Sequence, residues 1–375
     1  MMGSPRHAWV EVDPGAIARN VRTLKGLTPS GTAFMAVVKA DGYGHGAVES
    51  ARASMSAGAD WLGVATVDEA LELRDAGIAA AVLVLSEPPA EATDLLVEHN
   101  VTATVTTREF AAALSRSAER ADRRVPFHLK VDTGMNRIGV RVADAPDTVR
   151  WLSGLPGLVL DGVMTHFATA DVPGDWEFSR QVERFSGVID ALRTERIRPR
   201  LAHAANSAAT VLHPETHLDM VRCGIAVYGL HPAESTYGRV DLVPAMSVKG
   251  RVSLLKRIGL GEGVSYGLTW QAPAPTTVAT VPIGYADGVH RVLSNRMQVL
   301  IGGRRCRQIG RVCMDQLMVE VPDGLNVSQG DEVVLVGKQG DESIIMDEPA
   351  GLAGTINYEL ACGFALRLER RHTSA

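Results

Sequence analysis

Lys39 follows the apolar run Phe34–Val38 and opens onto a loop that contains Gly42, Gly44 and Gly46. The run reads as a short buried strand. An amine at the end of such a strand is poorly solvated, which disfavours its charged form. A lysine that is neutral near pH 7 is a nucleophile able to form a Schiff base with a carbonyl. The glycines allow the backbone to come close to a ligand just past that amine, and Tyr43 and His45 add polar tips. The plainer alternative is a structural barrel lysine in a salt bridge with Asp41.

The elements that must position this lysine alternate over the first two thirds of the chain. Strand candidates lie at 34–40, 61–66, 81–86, 102–107, 127–132, 160–167, 200–206 and 219–224, with helical stretches between them. Asp13 and Pro14 have the N-cap and first-turn types of an opening helix, and Thr66 with Glu69 has the spacing of a capping box. This alternation predicts an α/β fold, a (β/α)8 TIM-like barrel. An open doubly wound sheet is the weaker alternative, because no GxGxxG follows any strand. Beyond the connector at 231–246 the helical period disappears. Short alternating runs bounded by Gly, Pro and Asp predict a second, C-terminal mainly β domain. The expected division is 1–240 for the barrel and 241–375 for the β-rich domain.

Active sites of such barrels use residues at the C-terminal ends of the strands. On that rule Lys39 ends the first strand, Lys130 and Asp132 the fifth, His166 the sixth, Asn206 and Ser207 the seventh, and Arg222 the eighth. Each has a structural explanation when taken singly: a satisfied core histidine, an N-cap, half of an ion pair. Their convergence on one mouth is what points to chemistry. Ser207, preceded by Asn206, opens a short helix whose free N–H groups suit an anion, and Gly224 lets further donors approach the same place. A Schiff-base lysine beside a phosphate cradle implies pyridoxal 5′-phosphate (PLP). An arginine facing the ring nitrogen cannot accept its proton. Arg222 in that position would leave the ring unprotonated and limit delocalisation, which suits a brief proton exchange at Cα.

Composition narrows the partners. The chain of 375 residues has 46% apolar and 22% charged residues and a net charge of −5, which suits soluble globular cores and argues against nucleic acid or an anionic membrane surface. No apolar run is long enough to span a bilayer. The N-terminal MMGSPRHAWVEVD lacks the apolar centre of a signal peptide, so a cytoplasmic location is expected. The four cysteines have no CxxC spacing and read as reduced core thiols. No metal site is expected.

Ten segments in order, WVEVDPGAIARNV, AVVKADGYGHGA, LKVDTGMNRIG, MTHFATAD, HAANSAA, MVRCGIAVYG, VSYGLTW, VPIGYADG, GRVCMDQ and GTINYE, make the chain resemble the alanine racemase family along nearly its whole length. The resemblance implies PLP as cofactor, L- and D-alanine as substrates, D-alanine supply to peptidoglycan as the role, and a homodimer whose active site is shared between subunits. It implies Lys39 as Schiff-base lysine and one base, and Tyr266, from the partner's β-domain, as the second. A pair of bases on opposite faces is what racemisation needs. It further implies a hydrogen-bonded chain from the tyrosine through His166 to Arg222. The phosphate falls to Tyr43, Tyr358, Ser207 and the backbone of Gly224 and Ile225, with Asn206 on the same side. Arg137 and the backbone N–H of Met314 would meet the substrate carboxylate, and Lys130 matches a lysine often carbamylated in the family. Tyr285 would stand at a narrow entrance. A broader-specificity or serine racemase on the same scaffold, and a non-catalytic PLP carrier, are the alternatives. The β-domain and Tyr266 argue against the carrier. The tail FALRLERRHTSA departs from the family's usual VPR-type ending but touches no catalytic position.

Overall fold

Eight parallel strands form the barrel of the segment Gly15–Val243, with a ninth short strand, Val140–Arg141, paired beside Val125–Asp132; this segment is one of two compact units in the computed structural model, which describes residues 6–373. The eight are β1 Ala33–Val37, β2 Trp61–Val64, β3 Ala81–Val84, β4 Thr102–Val105, β5 Val125–Asp132, β6 Leu158–Met164, β7 Leu201–His203 and β8 Met220–Cys223. Ladders run in the order β8–β1–β2–β3–β4–β5–β6–β7. Between β7 and β8 the ring is closed by Asp219 N–H to Ala202 O at 3.1 Å and Arg222 N–H to Ala205 O at 2.9 Å. Helices covering the outside bury the second face of each strand, so the strands are near-continuous apolar runs. Met35, Trp61, Leu83, Met164, Leu201 and Met220 pack together as a buried cluster of the barrel.

All eight expected strands are present, and most end earlier than their apolar runs. The reason is local. Thr66 accepts from Glu69 N–H and completes the capping box of the helix Val67–Asp75, and Thr107 accepts from Phe110 N–H at the start of Arg108–Arg120. A residue committed to a cap has left the ladder.

The second unit comprises the chain up to Pro14 together with Pro244–Ala375. Its largest sheet is antiparallel except at one edge. There the strand Ala8–Val12 pairs antiparallel with Met246–Arg251 and parallel with Glu369–His372. The chain therefore divides differently from 1–240 and 241–375. The first strand belongs to the β unit because its ladder partners do, and the helix Pro14–Lys25 is where the chain turns into the barrel unit. The tail carries two short helices, Asp347–Ala353 and Asn357–Gly363, before its last strand. Of the cysteines, Cys223 and Cys306 are core thiols, whereas Cys362 is exposed on the helix Asn357–Gly363 and departs from that expectation. Residues 1–5, part of the segment weighed as a targeting signal, and the last two residues of the tail lie outside the described residues. No helix among the described residues is long and apolar enough to cross a membrane.

Candidate active site

Lys39 lies two residues past β1 rather than inside it. The chain then enters four successive left-handed residues, Ala40, Asp41, Gly42 and Tyr43, with φ of 52°, 52°, 60° and 54°. Left-handed residues with a Cβ cost roughly 1–2 kcal/mol each, so three of the four must be held in place. Glu69 does part of this: one carboxylate oxygen accepts from Ala40 N–H at 2.7 Å while the other accepts from Ala65 N–H at 2.7 Å. The Asp41 carboxylate accepts from Ala47 N–H at 2.9 Å and fixes the next helix. Asp41 is thus a backbone anchor of this turn, and Lys39 is presented by a strained segment that the capping box of a neighbouring helix supports.

Tyr43, at the end of that turn, packs its ring 5.1 Å from the buried Tyr228, whose hydroxyl donates to Val37 O. The Tyr43 hydroxyl lies so close to Gly224 that a Cβ there would sit 2.4 Å from it. Gly224 N–H donates to Ser207 Oγ at 2.9 Å. Asn206 is the N-cap of the helix Ser207–Leu212, its Oδ1 accepting from Ala209 N–H at 3.0 Å. Its side chain is therefore spent on positioning Ser207. Ile225, buried, starts the 3-10 turn that follows Gly224. Tyr43, Ser207 and Gly224 form a small cradle of hydroxyls and backbone that only glycine leaves open.

Arg222, at the third position of β8, is buried in the barrel. It donates to His203 Nδ1 (3.0 Å), His166 Nδ1 (3.2 Å) and the carbonyls of Thr165 (2.8 Å) and Ala204 (3.0 Å). Burial pulls its pKa down to about 10, so it remains a cation at neutral pH. Burial, then the charges of Lys130 and Arg222, hold His166 well below the ordinary imidazole range. Lys130, buried on β5, is likewise pushed well below the usual lysine range by burial and by Arg222 and Arg137. Arg137 is exposed on the loop after β5, which Asp132 shapes by accepting from the N–H groups of Gly134 and Asn136. The barrel unit thus brings together Lys39, Tyr43, Lys130, Arg137, His166, Asn206, Ser207, Arg222, Gly224 and Ile225.

Tyr266, Tyr285, Met314 and Tyr358 belong to the β unit. Tyr266 sits on a tight turn between Ser265 (φ 66°) and Gly267 (φ 71°) and is 71% exposed. The Ser265 hydroxyl donates to Arg311 O at 2.6 Å and ties this turn to the segment bearing Met314. That segment packs against the turn of Tyr285: Tyr285 and Ala286 N–H donate to the carbonyls of Cys313 and Met314, and a Cβ on Gly284 would lie 2.3 Å from Cys313 O. Asp287, fully buried, accepts from Gly284 N–H, Arg6 and Arg367, and Arg367 also reaches Asp315. Tyr266 and Met314 line one open hollow with Lys256, Ser265 and Cys313. Tyr358 is half-buried in the first turn of the helix Asn357–Gly363.

Residues 12–232 match the family described as "Alanine racemase, N-terminal domain" and residues 245–372 that described as "Alanine racemase, C-terminal domain". The chain belongs to the alanine racemase family. The alanine racemase of Symbiobacterium thermophilum is 49% identical over 97% of both chains, and that of Desulfovibrio desulfuricans 43% identical over 99% of both. Among solved structures, alanine racemase from E. faecalis superposes with a TM-score of 0.92 at 39% identity, covering 98% of each chain. The Bacillus anthracis alanine racemase with bound L-Ala-P gives 0.93 at 38% identity, covering 99% of this chain and 96% of that one.

Three groups that position the candidate residues within each unit escape the sequence reading. The spacing of Thr66 and Glu69 marks a capping box but carries no sign that Glu69 also accepts from Ala40 N–H. Asp287 holds the Tyr285 turn and, through Arg367, the Met314 segment. His203 and His128 continue inward from Arg222, with His203 Nε2 2.8 Å from His128 Nδ1. For the last, the signal was available: His128, Lys130 and Asp132 alternate on one strand, so an inward Lys130 implies an inward His128.

Two outcomes follow from this geometry. Thr66→Ala removes a cap and should cost about 1 kcal/mol in urea unfolding. Glu69→Ala should cost more, because it also strips the acceptor from Ala40 and Ala65; equal losses would contradict the double role. The second outcome concerns acid. His128, His166 and His203 are each depressed by burial first; His128 also faces Asp161, Arg200 and Arg222, and His203 faces Arg222, His128 and Lys130. Their unfolded counterparts titrate near 6.5, so the unfolded chain binds more protons below that pH. Stability is full above pH 6.5 and falls below it, by about 1.4 kcal/mol per pH unit for each ring that stays neutral. Denaturant unfolding at pH 7.5 and 5.5 should show this loss, and His128→Gln should shrink it; a flat profile would contradict neutral rings.

Proposed function

We propose that this protein interconverts L- and D-alanine as a PLP-dependent racemase. The observation that carries the reading is the buried donor Arg222, framed by His166 and His203, next to the Tyr43–Ser207–Gly224 cradle. A cradle that a Cβ would fill, with a lysine presented on a strained turn nearby, fits a phosphorylated aldehyde. When bound, PLP supplies the electron-withdrawing ring that acidifies the alanine Cα–H.

The rest falls to the chain's own residues. Lys39 would hold the cofactor's aldehyde in the resting enzyme, and its amine, released when the substrate's amino group takes its place, would exchange a proton with one face of Cα. Tyr266 of the partner subunit serves the opposite face; its exposure within one chain, with that of Met314 and Tyr285, suits a surface that a second copy covers. His166, whose Nδ1 accepts from Arg222, carries its proton on Nε2 and can donate to that phenol. Tyr43, Tyr358, Ser207 and the backbone of Gly224 and Ile225 hold the phosphate, with Asn206 fixing Ser207. Arg137 and Met314 N–H receive the substrate carboxylate, and Tyr285 narrows the entrance to small side chains. Lys130, whose amine is driven toward its neutral form, is suited to take up CO2; the resulting anion would orient Arg137, as an ammonium beside a guanidinium does not. A homodimer in the cytoplasm, feeding D-alanine to peptidoglycan, is the setting this reading implies.

The deciding experiment is chiral chromatography of the PLP-loaded protein against a panel of L-amino acids. Alanine should be racemised fastest; serine ahead of alanine would replace the substrate, and no racemisation of any amino acid would end the reading. Lys39→Ala should lose the visible absorbance of the tethered cofactor, and Tyr266→Phe should keep it while losing at least about a hundredfold in kcat, as for a proton-transfer group. Mixing the two inactive variants should restore activity through hybrid dimers with one intact site; no recovery despite proven subunit exchange would contradict a shared site. Gly224→Ala, which drives a methyl into Tyr43, should weaken PLP binding by roughly tenfold or more, about the effect of 1.4 kcal/mol; an unchanged Kd would remove the cradle from the phosphate site.

A further inference from the structure

Inward from Arg222 the barrel holds a line of polar side chains that the proposed chemistry does not itself use. A guanidinium has donors only, so Arg222 makes His203 Nδ1 an acceptor. His203 and His128 are both fully buried and kept neutral by that burial, so each carries a single ring proton. The His203 proton is then on Nε2, pointing at His128 Nδ1 at 2.8 Å. By the same logic the His128 proton is on Nε2, 3.3 Å from Asp161 Oδ2. Burial alone would raise the Asp161 carboxyl, but hydrogen bonds from His128 and Arg200 outweigh it and keep it ionised. Arg200 grips both carboxylate oxygens, at 2.8 and 2.7 Å. Each proton from Arg222 to Asp161 is assigned, and every donor faces the same way.

The backbone is built to admit this line. The β5–β6 ladder slips between Phe127 and His128, so that His128 pairs with Gly162 and Asp161 is skipped. Such irregularities re-aim side chains. At Gly162 a Cβ would lie 2.7 Å from His128 Nδ1 and 2.8 Å from two ring carbons. Trp61 closes the far end, its ring 5.5 Å from that of His128 and beneath the Arg200 guanidinium.

We propose that His203, His128 and Asp161 form a one-way hydrogen-bond relay that positions Arg222, holding its free Nε–H toward the ring nitrogen of the bound cofactor. The proposal rests on the PLP reading above. These are positioning residues, since none touches substrate or cofactor. The Asp161 carboxylate polarises His128, and His128 polarises His203, which strengthens the acceptor that Arg222 meets. Among the described residues Arg222 Nε–H has no hydrogen-bond partner, so the direction in which it points depends on how firmly the other donors are held.

The test uses the PLP-loaded enzyme with 15N-labelled histidine. In the wild type, NMR should find His203 and His128 neutral and protonated on Nε2 at pH 7.5; a His203 protonated on Nδ1 or on both nitrogens overturns the relay. His128→Leu should lower kcat by at least about tenfold, the usual scale for outer-shell partners, with KM for alanine within about twofold. It should also cost His203 its single tautomer. His128→Gln, whose amide can both accept from His203 and donate to Asp161, should recover most of the rate. A folded His128→Leu enzyme with wild-type kcat and an unchanged His203 signal overturns the proposal. Should that variant not fold, Asp161→Asn is read the same way, with a smaller fall in kcat and a shifted His203 Nε2–H resonance expected, and no change in either overturning the relay. Failure of the wild type to bind PLP removes the functional reading and this proposal with it; normal wild-type racemisation with unaffected variants removes this proposal alone.

Discussion

A guanidinium closed inside a parallel barrel is the constraint that the surrounding residues answer. Burying a charge is costly unless its hydrogen-bonding capacity is met, and no carboxylate among the described residues touches Arg222. Its partners are neutral: two imidazole nitrogens and the carbonyls of Thr165 and Ala204. Those carbonyls are available because β6 and β7 have just ended, at Met164 and His203, leaving the next peptide groups outside the ladder. The imidazoles must stay neutral because a cation is beside them, and being neutral they must offer Nδ1. One buried arginine therefore dictates the protonation state and the tautomer of both histidines that it meets, and the tautomer of His166 sets what its outer nitrogen can do.

The β unit solves a different problem. Its functional candidates are exposed side chains on short turns, and an exposed side chain is well aimed only when its backbone is rigid. Rigidity comes from beneath. The buried Asp287 carboxylate collects Gly284 N–H, Arg6 and Arg367, and hydrogen bonds from these donors overcome the effect of burial and hold it below the usual carboxylate range. Positive-φ turns at Ser265 and Gly267 and the close approach of Gly284 to Cys313 O leave little slack around Tyr266 and Tyr285.

Much of this was legible in the chain. The eight strands could be read because each is a short β-branched run followed by a helical period, and the chemistry-bearing residues because a barrel concentrates them at strand ends. Strand limits were less legible, since Thr66 and Thr107 continue the β pattern while acting as caps. The position of Lys39 illustrates the same limit: the apolar run continues through Val38, but the left-handed turn that presents the lysine depends on Glu69, thirty residues on and on another helix. The place of the first strand was also hidden, because pairing of Ala8–Val12 with Met246–Arg251 is a long-range choice that local pattern does not encode. Nothing in the local pattern marks Asp161 or Arg200, because their link to His128 depends on the register slip between Phe127 and His128.

Charge distribution within the barrel unit adds a further constraint. The chain as a whole is acidic, at −5, yet Lys39, Lys130, Arg137 and Arg222 lie close enough for their charges to act on one another's neighbours, depressing both Lys130 and His166. Asp132 is the carboxylate that acts on Lys130 from nearby, and its oxygen is engaged by Gly134 and Asn136 N–H. Groups of one sign with so little local compensation favour a positive field inside an otherwise negative molecule, and the shift of Lys130 toward its neutral amine is one response to it. Such a field is destabilising to the empty fold and favourable to a ligand that brings more than one negative charge. A phosphorylated cofactor together with an amino-acid carboxylate meets that condition, and the depressed Lys130 is where the remaining excess is most easily relieved.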